Sequence, residues 1–287
     1  MTNSELALLA LKASITLTVF TVGLRQPPAD LLYVSRHRSL FLRSMVSMYV
    51  AMPLVALWMA LVLPLHPAVK LSLVAMSVSP VPPLLPGKAG KSGADVRYAA
   101  SLFVISCVLS IVTVPAALWL FGELLGVAVA GTPVAPTRLI WSSVLLPLFA
   151  GLALRAMSSR LAAKLERPLG ILASGILAIG ALLLMAVAWR PMLSLLGNGT
   201  IIAIVVFALI GLAAGYRLGG SQPSERMALA MATASRHPAV AITVATAMMP
   251  AERLAPAAVL LTMIAGSVLS AILVRIGETG AQARGPS

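Results

Sequence analysis

Long apolar runs separated by short polar joins dominate this chain of 287 residues. A helix rises 1.5 Å per residue and the hydrocarbon core of a bilayer is about 30 Å thick, so about 20 apolar residues make one crossing. Nine runs qualify, near residues 5–24, 40–63, 67–86, 101–125, 136–157, 168–188, 192–216, 225–250 and 254–276. Most joins between them carry Pro or Gly, which stop helices. The first run has no basic leader and no clear small-residue cleavage site before Arg25, so it reads as a retained helix. The pattern predicts an all-α membrane protein.

Two of the runs are interrupted. Only 12 apolar residues run from Ala239 to Pro250 ahead of Glu252 and Arg253, enough for about 18 Å of helix and too short to cross. The crossing must therefore begin near Glu225, which puts Ser235, Arg236, His237 and Pro238 close to mid-membrane. Pro238 lacks an N–H and disfavours helical geometry in the residue before it, so the helix is expected to open there. Opened backbone at that depth survives only inside protein or beside a water-filled cavity. A reentrant hairpin with Arg236 snorkelling is the competing geometry. The third run has a counterpart in Ser79-Pro80-Val81-Pro82-Pro83-Leu84-Leu85-Pro86-Gly87-Lys88-Ala89-Gly90-Lys91-Ser92, where the prolines and glycines predict unwinding. Alternatively residues 67–86 just reach across and leave Lys88, Lys91 and Arg97 in an ordinary basic loop. Were residues 91–98 helical, Lys91 and Asp95 would stand at i,i+4 and pair. Broken segments at corresponding places in two halves point to the binding site of a secondary transporter.

The basic residues orient the chain, because Lys and Arg near span ends stay on the cytoplasmic side. With the N-terminus outside, the inner face collects Arg25, Arg36, Arg38, Arg43, Arg97, Arg155, Arg160, Lys164, Arg167, Arg217, Arg226, Arg275 and Arg284. The outer face holds only Lys70, Arg138, Arg190 and Arg253. That bias predicts a multi-pass protein of the cell membrane with a cytoplasmic C-terminus. Lys12, Lys88, Lys91 and Arg236 remain, within or beside apolar runs. Lys12 is read as snorkelling outward, and residues 29–39 as an interfacial helix with Arg36, His37 and Arg38 at the headgroups.

Composition agrees and removes other classes. With 60% hydrophobic and 10% charged residues and a mean hydropathy of +1.00, the chain cannot clothe a water-soluble surface. The formal charge of +13 is scattered between apolar runs and forms no aromatic-interleaved patch, so nucleic acid is not the partner. The lone Cys107 excludes an intrachain disulfide. Asp30 and Asp95 are the only aspartates, and His37, His66 and His237 are scattered, so neither an intramembrane protease motif nor a metal cluster is expected and the chain is not read as an enzyme. A membrane-embedded enzyme or a channel remains the alternative to a carrier. No pattern here fixes an oligomeric state.

At the two breaks the chain resembles the bile acid:sodium symporter family. Thr21-Val22-Gly23-Leu24 is similar to the glycine-containing end of an early helix in that family, Pro86-Gly87 to the start of its Pro-Gly-Gly-Thr-Ala-Ser-Asn crossover, and Arg226 to Ala241 to its second crossover. The resemblance implies two inverted repeats, a panel domain and a core domain whose broken helices cross, in a version with nine spans. It divides the chain into a panel helix and inner linker at 1–39, the first core repeat at 40–125, panel helices at 136–190, the second core repeat at 191–277 and a cytoplasmic tail at 278–287. It implies a site built from Pro86, Gly87, Lys88, Lys91, Ser92, Asp95, Met231, Ser235, Arg236, His237 and Pro238, and a small organic anion such as a carboxylate as solute.

The family's sodium ligands are replaced. Ungapped carry-over puts Lys91 and Ser92 where the family offers Ser and Asn, and Met231, Ser235 and Arg236 where it offers Glu, Gln and Asn. A sodium site needs oxygen ligands, so no cofactor is expected and sodium coupling is put in question. The expectation is that Lys91 and Arg236 stand in for the missing ions. Asp95 can neutralise one cation only, and the remaining positive potential favours an anion. His237 adds the option of proton coupling.

Overall fold

The structure, a computed structural model, describes residues 3–126 and 134–282, and those residues form helices and connecting turns with no strand among them. In chain order the helices are α1 (Asn3–Arg25), α2 (Pro28–Leu31), α3 (Tyr33–Arg36), α4 (Arg38–Met45), α5 (Met52–Val62), α6 (Pro67–Val78), α7 (Leu85–Lys91), α8 (Val96–Leu125), α9 (Val134–Ile140), α10 (Leu146–Met157), α11 (Ser159–Ser194), α12 (Thr200–Leu218), α13 (Pro223–Ala234), α14 (Pro238–Met248) and α15 (Ala255–Gln282). Widened π-helical turns, Val46–Ala51 and Trp141–Leu145, join α4 to α5 and α9 to α10.

Among the described residues six rods are long and apolar enough to cross a membrane: Arg38–Val62, Val96–Leu124, Pro136–Met157, Ser159–Ser194, Thr200–Leu218 and Ala255–Ile272. The third and eighth runs of the sequence are each split, into α6 with α7 and α13 with α14. Residues 29–39, expected as one interfacial helix, instead form two single turns and the start of α4. Residues 278–282, placed in a tail by the sequence, continue α15, and the rest of that tail, 283–287, lies outside the described residues, as does 127–133. Large apolar side chains such as Val112, Trp119, Leu182 and Ile202 are among the most exposed, which suits hydrocarbon as the surrounding solvent. At 36 residues, α11 is about 54 Å long and outreaches the hydrocarbon, with Arg160, Lys164 and Arg167 exposed on its first turns.

Two helix groups follow from where small residues allow close approach. α1 packs on α10 and α11. A Cβ on Gly23 would lie 2.6 Å from the Leu148 carbonyl, and one on Gly151 would strike the Phe20 carbonyl, so both positions need glycine. Ser14 Oγ donates to the Ala173 carbonyl at 2.8 Å. At the helix ends, Arg155 donates to the Leu24 carbonyl at 2.6 Å and Arg25 pairs with Glu166 at 2.8 Å. The second group gathers α5, α6, α12, α13, α14 and α15, with α8 against α7 and α13. Here Gly215 lets α12 meet α13, since a Cβ would sit 2.5 Å from Ala230 Cα. The linker α2–α3 lies on α8 and is tied to α13 by Tyr33, whose hydroxyl donates to Glu225 Oε1 at 2.9 Å.

Candidate functional site

The two breaks meet. Pro80, Pro82 and Pro83 have no N–H to continue α6, and Ser79 turns extended at φ −71°, ψ 150°. In the second half Ser235 is extended at φ −108°, ψ 129°, and Pro238 opens α14 at its first position. The freed backbone groups then satisfy each other: His237 N–H donates to the Pro80 carbonyl at 2.8 Å. Ser106 Oγ accepts the Val81 N–H at 3.0 Å and so secures the other side of the first break. Both breaks expected from the sequence are therefore present, though the first falls at residues 79–84, ahead of Pro86 and Gly87, which belong to α7.

Arg236 fills the crossing. Only 3% exposed, it donates from Nη1 to the Ser79 carbonyl at 3.2 Å and from Nη2 to the Met48 carbonyl at 2.9 Å. Met48 lies in the widened turn just ahead of Pro53, which has no N–H to return to that turn. A carbonyl is thus left for a side chain to take up. No carboxylate contacts the guanidinium among the described residues; its charge faces backbone dipoles.

A cavity of about 580 Å³ opens beside the crossing, within the size range of small-molecule sites. Pro82, Pro83 and Leu84 of the first break line it, with Lys88, and so do Ser235, Arg236, His237 and Pro238 of the second. The facing wall comes from α1, the widened turn at Ser143 and α11. His237 is 2% exposed and neither ring nitrogen has a partner; Ser143 Oγ and Arg236 Nε are likewise buried and unpaired. Buried polar atoms are nearly always paired, so these orphans beside the cavity are the exceptions of this region.

The other sequence candidates are not brought to this cavity. Lys91 ends α7, exposed, so the continuous helix over 91–98 that would have let it pair with Asp95 does not form. The helix stops at Lys91, Gly93 turns the chain at φ +68°, and Asp95 caps α8 by accepting the Tyr98 N–H at 3.0 Å, with Arg97 3.5 Å away. Pro86 is buried in α7, while Gly87 is exposed. Ser92 and Met231 meet each other instead, Oγ to Sδ at 3.4 Å, joining α7 to α13. Of two residues on the facing wall, sequence reasoning weighed a substrate role for Lys12 and favoured snorkelling, and it passed over Ser143. Lys12, read as snorkelling outward, is exposed and borders both this cavity and a shallower groove between α1 and α10, and Ser143 lines the cavity. The signal for Lys12 was its charge inside an apolar run; Ser143 had none, because the widened turn that presents it is not written in any residue pattern.

A family model described as the sodium bile acid symporter family matches residues 13–193. The chain belongs to this family. Its members are membrane transporters, and the match runs from α1 through α11, taking in the first break and the facing wall of the cavity. The second break lies beyond the matched residues and is joined to the first by its contacts with Ser79 and Pro80. Among curated proteins none matches the chain.

Proposed function

We propose that this chain is a secondary transporter of a small organic anion that works without sodium coupling. The observation that carries the reading is Arg236, a cation held at the crossing by the carbonyls of Ser79 and Met48. A guanidinium on backbone oxygens there supplies the positive charge that a metal ion would bring. Met231, where the resemblance expects an acidic ligand, offers a thioether, which a hard cation binds poorly, and Ser92, where it expects an amide, directs its hydroxyl to that sulfur. Lys91, exposed at the end of α7, has no part in this charge. In this reading α1, α9, α10 and α11 form the panel and the remaining long helices the core, in inverted repeats. The chain crosses the cell membrane nine times with its N-terminus outside.

Uptake of a labelled bile acid into proteoliposomes tests the proposal. Equal rates in sodium, potassium and choline media, stimulated by preloaded unlabelled anion, are expected. A steep sodium dependence rejects the uncoupled mechanism, and the absence of countertransport rejects a carrier in favour of a channel. Proton coupling is the second reading, favoured by the unpartnered His237 ring beside the cavity. It requires that a pH gradient accelerate uptake in the native protein and not in His237→Gln.

A further inference from the structure

The cavity's electrical balance is unfinished. Lys12 on α1 and Lys88 on α7 both line it, and neither has an ion pair or hydrogen bond among the described residues. No Asp or Glu lines it. The Arg236 charge is already turned toward Ser79 and Met48, so the two ammonium groups are what remain to be neutralised. They come from different helix groups, since α1 packs on α10 and α11 whereas α7 packs on α8 and α13. Between them the lining is mostly aliphatic and includes Met76, Met185, Met192 and Met263. Thioether side chains reshape around apolar bodies of varied outline.

Resting on the anion-carrier reading, we infer that the cavity takes a dianionic amphipath, one anionic group held by Lys12 and the other by Lys88 across an apolar body. Both lysines are exposed and so within reach of a ligand entering the cavity, and with no acidic residue on the lining each attracts an anionic group. A monoanion pairs with one ammonium and leaves the other unpaired, whereas a ligand charged at both ends pairs with both. A ligand of this kind also bridges the two helix groups, so Lys12 acts as a specificity-determining residue on the wall facing the crossing.

The test compares two labelled probes, dodecanedioate and dodecanoate, binding to the full chain in phosphatidylcholine nanodiscs that contain no anionic lipid. The native protein is expected to prefer the diacid by about tenfold or more, the worth of one charge-assisted contact. Lys12→Gln and Lys88→Gln should each bring the two probes within about twofold, and Lys12→Arg should keep the preference. If Lys12→Gln is not recovered folded, Lys88→Gln decides by the same criterion. Equal binding of both probes by the native protein, or a preference that survives Lys12→Gln, overturns the inference and leaves the anion-carrier reading standing. Failure of the folded native protein to bind either probe overturns both.

Discussion

Replacing Arg236 with Met removes the guanidinium while keeping an apolar side chain of similar reach. Two hydrogen bonds disappear, to Ser79 and Met48, and both carbonyls belong to backbone already opened, by the break in one case and the widened turn in the other. A buried carbonyl without a donor costs about 1–3 kcal/mol. The two together put the loss at roughly 2–5 kcal/mol, the upper end reduced because water can enter from the adjoining cavity. Arg236→Lys keeps the charge but cannot fork to two acceptors on separate helices, so it should recover only about half of the loss. The measurement is thermal unfolding of purified variants in one detergent, in the order native, Lys, Met, alongside uptake in proteoliposomes. Loss of both stability and transport in Arg236→Met is expected. A variant as stable as the native protein, with only a raised half-saturation concentration for the anion, would refute the reasoning by showing that Arg236 binds solute and does not hold the crossing together.

Gly23→Ala places a Cβ 2.6 Å from the Leu148 carbonyl and should cost about 1–3 kcal/mol by prying α1 from α10, seen as a lower melting temperature. Tyr33→Phe removes the bond to Glu225 that ties the α2–α3 linker to α13; a loss of about 0.5–1.5 kcal/mol is expected, and an unchanged melt would show that the contact is idle. Asp95→Ala strips the cap of α8, about 0.5–2 kcal/mol, whereas Lys91→Ala should stay within about 0.5 kcal/mol of native. Equal losses in those two variants would restore a Lys91–Asp95 pair.

The breaks were legible because proline acts locally: Pro80, Pro82, Pro83 and Pro238 forbid backbone hydrogen bonds wherever the rest of the chain goes. Arg236 was legible as an anomaly, a charge that 12 apolar residues could not carry out of the membrane. What it touches was not legible, since the Met48 carbonyl comes free through a widened turn almost two hundred positions away. Lys91 was misplaced for a related reason. Ungapped carry-over fixed it by its distance from Pro86, but the chain opens at residues 79–84 and has already resumed helix at Leu85, so Lys91 falls at the far end of α7. Lys12 could only be read as snorkelling outward, because an apolar run shows that a residue is within the membrane and not which side of its helix is covered.

A cation tethered to the chain differs from a travelling one in what drives transport. Whatever distance Arg236 moves with its helix in one half-cycle it retraces in the other, so it carries no net charge across. A coupled sodium ion would offset the charge of the solute; without one, the anion crosses with its charge uncompensated. Each elementary charge moved against 100 mV costs about 2.3 kcal/mol, which holds a monoanion out of an inside-negative compartment by roughly fiftyfold. Net uptake into proteoliposomes should therefore slow when a potassium diffusion potential makes the interior negative and quicken when it is reversed. One-for-one exchange against preloaded anion moves no net charge and should respond to neither. Net uptake indifferent to voltage would mean that a counter-charge travels with the solute, and Arg236 would then not be the cation that serves this cycle.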